Sequence, residues 1–376
     1  MKDIIYLDYS ATTPINKEVL DTYNKVSLDY IGNPNSLHRL GVEAKQLMNA
    51  SVEQVAKLLN VKKDEVIFTS GASESNNLAI FGTVNKYSNR GRHILTTKLE
   101  HSSVIDTLLF LEKEGYEIEY ININDDGLVD LEDLKRKIRK DTVLVSICLV
   151  NSEVGFKQDI NEISKIVKKN TTTIFHVDGT QAIGKIAIDL KNIDLFSFSV
   201  HKFYGPKGVG CLIKKSNIVI DPIIHGGKSQ SIYRSGTPAL PLIAASAKAL
   251  RIALNDLDEK YRYVEELNTF LRKELSNIEG VIINSNSNCI PNILNISVPG
   301  IKPETMLHAL ESENIFISTK TACSKDNSDS LTLTALGLTH EICGYSLRIS
   351  LSYMTTKEEI NTFVDILKKK ILELKF

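Results

Sequence analysis

The chain lacks any pairing of its cysteines. Five occur in 376 residues, at positions 148, 211, 289, 323 and 343, odd in number and far apart. No metal-ligand spacing and no disulfide framework follows from them, and scattered thiols suit a reducing compartment. Neither sign of charge is in excess: 45 Lys and Arg against 46 Asp and Glu give 45 − 46 = −1. That argues against nucleic-acid binding through bulk charge. No apolar run reaches the roughly 18 residues of a membrane span. Residues 1–8 carry no apolar stretch of the kind found in secretory signals. There is no internal repeat, low-complexity tract or obvious linker. The expectation is a cytoplasmic globular protein with no membrane partner and no direct nucleic-acid partner. At about 150 residues per domain the length predicts two domains, large enough to bury a core without disulfide staples.

What is present is an alternation of short apolar runs with amphipathic stretches. Strands are expected at residues 65–69 (EVIFT), 93–97 (HILTT), 142–150 (TVLVSICLV), 173–177 and 195–200, with helices between them over 73–81, 103–112 and 160–168. The run at 142–150 is apolar on both faces, as a buried parallel strand should be. The pattern predicts an α/β fold, a mostly parallel central sheet with helices on both faces, over residues 13–250. Beyond it come long helices near 240–257 and 261–275 and shorter strands at 281–283, 293–297, 315–318 and 346–350. These predict a smaller α+β domain made of residues 1–12 and 251–376. Thr356 and Glu359 form a capping-box pattern at the start of a last helix.

In open parallel sheets, ligands bind beyond the carboxyl ends of the strands. After the first strand come Gly71, Ala72 and Ser73, a turn into a helix that suits a phosphate, unless Ser73 merely caps the helix. After the second stand Glu100 and His101, an imidazole able to stack on a flat ring or shuttle protons. Asp178 ends the strand 173–177. A buried carboxylate there needs a cationic partner, either a protonated pyridine nitrogen or a lysine. Lys202 follows the strand 195–200 and is 202 − 178 = 24 residues from Asp178, room for one crossover. A partly desolvated lysine forms Schiff bases; Lys185 and Lys207 compete for that role, Lys207 on a tight loop expected to face water. A phosphate seat, a ring-facing His, an acid for a ring nitrogen and a reactive Lys together describe a pyridoxal 5′-phosphate (PLP) site.

The chain resembles the cysteine desulfurases, in the class V aminotransferase group of fold-type I PLP enzymes. The motifs that carry the resemblance are Tyr6–Pro14, Gly32–His38, Thr69–Asn77, Glu100-His101, His176–Asp178, Gln181, Ser199–Gly208 and Arg234–Thr237. The resemblance implies that Lys202 bonds the cofactor, Asp178 pairs with its ring nitrogen, His101 stacks on the ring and acts in catalysis, and Gln181 holds the ring hydroxyl. It implies phosphate contacts from Ala72, Ser73, Ser199 and His201, and from Thr237 of the partner subunit in a homodimer. Ser152 takes a further cofactor position. Arg348 would clamp the substrate carboxylate, helped by Asn33. Cys323 stands at the family's nucleophile position, in a loop of about 318–345 within the small domain. The other four cysteines read as structural, and no metal site is expected.

The implied reaction converts L-cysteine to L-alanine with the sulfur left on Cys323 as a persulfide. That sulfur would pass to an acceptor protein, an iron–sulfur scaffold or a tRNA-thiolation relay. The alternatives are a class V aminotransferase, a selenocysteine lyase, or a weakly active PLP-binding paralogue acting as a partner subunit. Four positions depart from the family pattern. Ser152 replaces the second of two Asn. Gly226–Tyr233 has lost an acid and gained Gln230 and Ile232. Lys320 stands in place of a Gly before Cys323. Ser352-Tyr353-Met354 replaces a Gly-Arg-aromatic run.

Overall fold

The computed structural model describes residues 4–227, 231–319 and 330–374; Gln230, Lys320 and Cys323 lie outside them. In chain order the first part holds β1 (Ile5–Tyr6), α1 (Lys17–Asp29), α2 (Arg39–Leu58), β2 (Val66–Thr69), α3 (Ala72–Lys86), β3 (His93–Thr96), α4 (Ser102–Lys113), β4 (Glu117–Tyr120), α5 (Leu131–Lys137), β5 (Thr142–Cys148), α6 (Ile160–Val167), β6 (Ile174–Asp178), β7 (Leu195–Ser199), β8 (Gly210–Lys214) and α7 (Leu240–Leu254). There follow α8 (Leu257–Ser276), β9 (Ile282–Ile283), β10 (Ile293–Ser297), α9 (Pro303–Glu311), β11 (Ile315–Phe316), α10 (Leu331–Ala335), α11 (His340–Cys343), β12 (Ser346–Ser350) and α12 (Lys357–Leu374).

Seven strands form the central sheet in the order β2-β8-β7-β6-β5-β3-β4. Neighbours are parallel except that β8 runs antiparallel to both β2 and β7. Two reversals restore direction, so β2 points the same way as β7. The carboxyl ends of β2, β3, β5, β6 and β7 therefore open on one edge, and the segments after them can meet.

Period-2 alternation divides the core into two layers. Ile67, Ile94, Leu144, Ile174, Leu195 and Leu212 pack under α3 and α4. Their neighbours Phe68, Leu95, Val145, Phe175, Phe196 and Ile213 pack against α2, α6 and α7 on the other face. Burying each of these large side chains contributes about 2 kcal/mol. Helix starts follow the sequence chemistry. Asn16 caps α1 through Glu18 N at 2.8 Å, and the capping box closes at α12, with Thr356 N donating to Glu359 and Glu359 N to Thr356 Oγ1.

A second cluster joins Ile5 and Leu7 to Leu267 and Leu271 of α8, Leu294 and Ile296 of β10, Leu347 and Ile349 of β12, and Phe363 and Leu367 of α12. β1 pairs in parallel with β11, Ile5 against Ile315. The first residues are thus pinned to the last third of the chain. Within β12, Leu347 and Ile349 face this cluster, and period 2 turns Arg348 the other way, towards the sheet edge.

Candidate active site

A cavity of about 460 Å³ lies on that edge. Each wall comes from a different strand end: Gly71–Glu74 after β2, Leu99 and His101 after β3, Val150 and Ser152 after β5, Asp178, Thr180 and Gln181 from β6, and Ser199, His201 and Lys202 from β7. Arg348 and the N-terminal Ser10 and Ala11 complete it.

The start of α3 is built for an anion. Its N-cap is Gly71, so no side-chain oxygen satisfies the first-turn N–H groups. Ser73 lies inside the helix and is not its cap. Gly210 of β8 holds this turn in place; a Cβ there would come within 2.5 Å of the Gly71 backbone. Ser199 and His201 line the same end. Burial, reinforced by Lys202, lowers the His201 pKa to about 4, so it stands neutral with Nδ1 3.1 Å from Thr12 Oγ1.

Asp178 is buried at the end of β6. Its Oδ1 accepts from Thr180 N at 2.9 Å and its Oδ2 from Asn76 Nδ2 at 2.8 Å. No lysine or arginine pairs with it among the described residues. Its Asp-Gly-Thr turn is tight because Gly179 lies on the Phe196 ring, where a Cβ would approach to 1.8 Å. Lys202 Nζ donates to the carbonyls of Ser10 and Ala11 at 2.6 and 2.7 Å. Gln181 Nε2 donates to Ser10 O at 2.9 Å, and Gln181 Oε1 accepts from Lys185 at 2.6 Å. Lys185 lies behind Gln181, outside the cavity wall, and burial brings its pKa down to about 7. Lys207 lies on the cavity rim and is exposed to water.

Arg348 is 2% exposed. Its Nη1 donates to Ser152 O at 3.0 Å and its Nη2 to Asp8 Oδ1 at 2.9 Å, while Nε has no partner. Ser152 therefore serves this site through its backbone. Asn151, before it, is structural, with Oδ1 accepting from Glu153 N and Val154 N. The same Arg348 exchanges two backbone hydrogen bonds with Ser318, at 2.7 and 3.1 Å. Ser330 donates to Glu153 at 2.7 Å. Both flanks of the segment containing Cys323 are thereby fixed beside Arg348 and Ser152.

The cavity brings together Ala72, Ser73, His101, Ser152, Asp178, Gln181, Ser199, His201, Lys202 and Arg348. It does not include Asn33, which is exposed and caps its own turn through Asn35 N at 3.0 Å, nor Thr237. Cys148, read from sequence as structural, lies in the wall, but its thiol donates to Leu99 O and burial holds it protonated. Sequence reasoning assigned no role to Asp8, Asn76 or Ser103, which orient Arg348, Asp178 and His101. The described residues hold no cluster of three metal-ligating side chains, and none of their helices is long and apolar enough to cross a membrane.

The donor set fits pyridoxal 5′-phosphate. A helix start with unspent N–H groups faces neutral Ser and His side chains, a buried carboxylate has no cationic partner, and a lysine stands across the cavity. Thr180 Oγ1 and Arg348 Nε are buried polar atoms in the wall without partners.

The aminotransferase class-V family model matches residues 5–363. The chain is 40% identical to cysteine desulfurase IscS of Dictyoglomus turgidum over all of this chain and 96% of that one. It is 41% identical to the IscS of Buchnera aphidicola subsp. Baizongia pistaciae over all of this chain and 94% of that one. A solved NifS-like protein superposes with a TM-score of 0.94 at 36% identity, covering 99% of this chain and all of the other. With the motifs, the sheet order and the cavity in agreement from end to end, the chain belongs to the cysteine desulfurase family of the class V aminotransferases.

Proposed function

We propose that this protein is a PLP-dependent cysteine desulfurase that forms L-alanine from L-cysteine and retains the sulfur on Cys323. The observation that carries the reading is one cavity holding an unpaired buried acid, a lysine at the next strand end and an arginine with an unpartnered Nε. Bound there, the cofactor supplies an aldehyde that captures amines and a ring that withdraws electrons. Ala72, Ser73, Ser199, His201 and Thr237 of the partner subunit would hold its phosphate. Asp178 would hold the ring nitrogen, Gln181 the ring hydroxyl, His101 and Ser152 the ring's surroundings, and Lys202 the aldehyde carbon.

Arg348 binds the substrate carboxylate, because a guanidinium with an open edge makes charge-assisted hydrogen bonds to it. Asn33, which is not in the cavity wall, would have to leave its contact with Asn35 N to assist Arg348. Cys323 lies 323 − 318 = 5 residues beyond Ser318, so its reach from that anchor is at most about 17 Å. Its thiolate attacks the substrate sulfur. An S–S bond forms and the substrate C–S bond breaks. The carbon keeps that electron pair, takes a proton and leaves as L-alanine, and Cys323 carries the persulfide. The cargo then passes to an acceptor protein, an iron–sulfur scaffold or a tRNA-thiolation relay. The working unit is a cytoplasmic homodimer.

The test is a spectrum of the PLP-loaded protein before and after L-cysteine, followed by amino-acid analysis with a reductant present. Equal amounts of alanine and sulfide are expected. Transfer of the amino group to a keto acid without sulfide would overturn the reading in favour of an aminotransferase.

A further inference from the structure

His101 is the N-cap of α4, and its Nδ1 accepts a hydrogen bond from Ser103 N at 3.1 Å. A backbone N–H can only donate, so Nδ1 carries a lone pair there. Ser103 Oγ lies 2.9 Å from the same nitrogen. The direction of that contact is set one step further back. Asn76 Nδ2 lies 2.9 Å from Ser103 Oγ and 2.8 Å from Asp178 Oδ2. The carboxylate accepts, which fixes the amide with its NH₂ group between the two; reversing it would set Oδ1 against an acid oxygen. One amide hydrogen goes to Asp178 and the other to Ser103 Oγ. The hydroxyl then has its own hydrogen to give to Nδ1. Asn76 is fully buried, so no water competes for its donors.

We propose that Asn76 and Ser103 are positioning residues that lock His101 as the neutral Nε2–H tautomer, so that it faces the substrate as a hydrogen-bond donor and not as a base. Protonating Nδ1 would set its hydrogen against two donors and against the positive end of α4. The same physics keeps an electrophilic imidazole neutral at a helix N-terminus in other enzymes. Burial and Lys202 lower the His101 pKa, while Asp178 on β6 and Asp106 on α4 pull it up. Glu100, the adjoining residue, has its pKa pushed up to about 8 by burial, so at neutral pH it adds little negative charge. The lock makes no reference to substrate; its use as a donor rests on the desulfurase reading above.

The test is a hydrogen-coupled ¹⁵N spectrum of histidine-labelled protein, recorded without cofactor, with His101→Gln used for assignment. The expected signature is a pyrrole-type Nε2 and a pyridine-type Nδ1 that persist from about pH 8 to about pH 5, where an ordinary imidazole has charged. Ser103→Ala keeps the residue-103 N–H on Nδ1 but loses the hydroxyl donor, so the tautomer should hold while the titration midpoint rises; Asn76→Leu should act similarly, and Ser103→Thr should keep the wild-type signature. In the loaded enzyme, His101→Gln keeps a donor near the Nε2 position and should retain more turnover than His101→Ala, which should fall about 100-fold. A wild-type His101 that carries its proton on Nδ1, or that titrates near the ordinary value, would overturn the proposal. So would a titration midpoint unmoved by Ser103→Ala, or equal losses in the Gln and Ala variants. If the signature holds but L-cysteine yields no alanine, the lock stands and the desulfurase reading fails. Alanine formation with a titrating His101 sinks the lock alone.

Discussion

Arg348 Nη2 donates to Asp8 Oδ1 at 2.9 Å, an ion pair between side chains 340 residues apart. With the Ser152 carbonyl on Nη1, each terminal nitrogen gives one hydrogen to the protein, and the buried Nε has no partner. Asp8→Asn keeps the shape but removes the charge that aligns the guanidinium. The expected outcome is a rise in KM for L-cysteine of about tenfold, equivalent to about 1.4 kcal/mol, with a smaller change in kcat. Initial rates of alanine formation measure it; an unchanged KM would show that Asp8 does not orient Arg348.

Among the described residues, Lys202, Lys185 and Lys207 lie in or near the cavity, and they differ in what surrounds them. Lys202 is held against the Ser10 and Ala11 carbonyls, Lys185 is behind Gln181, and Lys207 is on the rim. Borohydride reduction of the PLP-loaded protein is expected to fix the cofactor to residue 202 in the wild type, in Lys185→Ala and in Lys207→Ala, and to fix none in Lys202→Ala. Peptide mapping that finds the label elsewhere would displace Lys202 from the proposed role.

Cys323→Ala is expected to lower alanine release by about 100-fold or more while leaving PLP absorbance at wild-type strength. Persulfide should be detectable on the wild-type peptide containing Cys323 after one turnover and absent from the variant. Turnover that survives the substitution would reassign the nucleophile.

Glu100 yields a stability prediction with a definite sign. Its Oε1 accepts from Thr97 Oγ1 and Cys148 N, its Oε2 has no partner, and burial pushes its pKa up to about 8. An unfolded glutamate titrates near about 4.3. Between those values the folded chain holds a proton that the unfolded chain releases, so stability falls as pH rises, by up to about 1.4 kcal/mol per pH unit. Glu100→Gln has the protonated shape at every pH. Its Tm should match the wild type below about pH 4 and exceed it increasingly towards pH 8; parallel Tm curves would refute the assignment.

Much of this was legible in sequence where the signal is local. The apolar runs read at 65–69, 142–150, 173–177 and 195–200 hold strands that end at Thr69, Cys148, Asp178 and Ser199, and residues after them share one cavity. β4 escaped notice because it lies at the sheet edge. Its sequence, Glu-Ile-Glu-Tyr, alternates acids with half-buried side chains and looks like polar surface. β8 was missed because the Gly205-Pro206-Lys207-Gly208 turn precedes it and its antiparallel placement leaves no βαβ signature. The contact of Asn76 with Asp178 spans 102 residues and that of Asp8 with Arg348 spans 340, so no spacing rule reports either. Both were visible as members of a motif; their partners were not.

The pairing of Ile5 with Ile315, the Asp8 contact to Arg348 and the Ser10 and Ala11 carbonyls on Lys202 bear on synthesis as well. Residues 5–11 are made before every one of these partners and must wait for them. Lys202 and the central sheet precede β12 in the chain, so the contact of Asp8 with Arg348 forms only once β12 has been made, and such long-range closure slows folding.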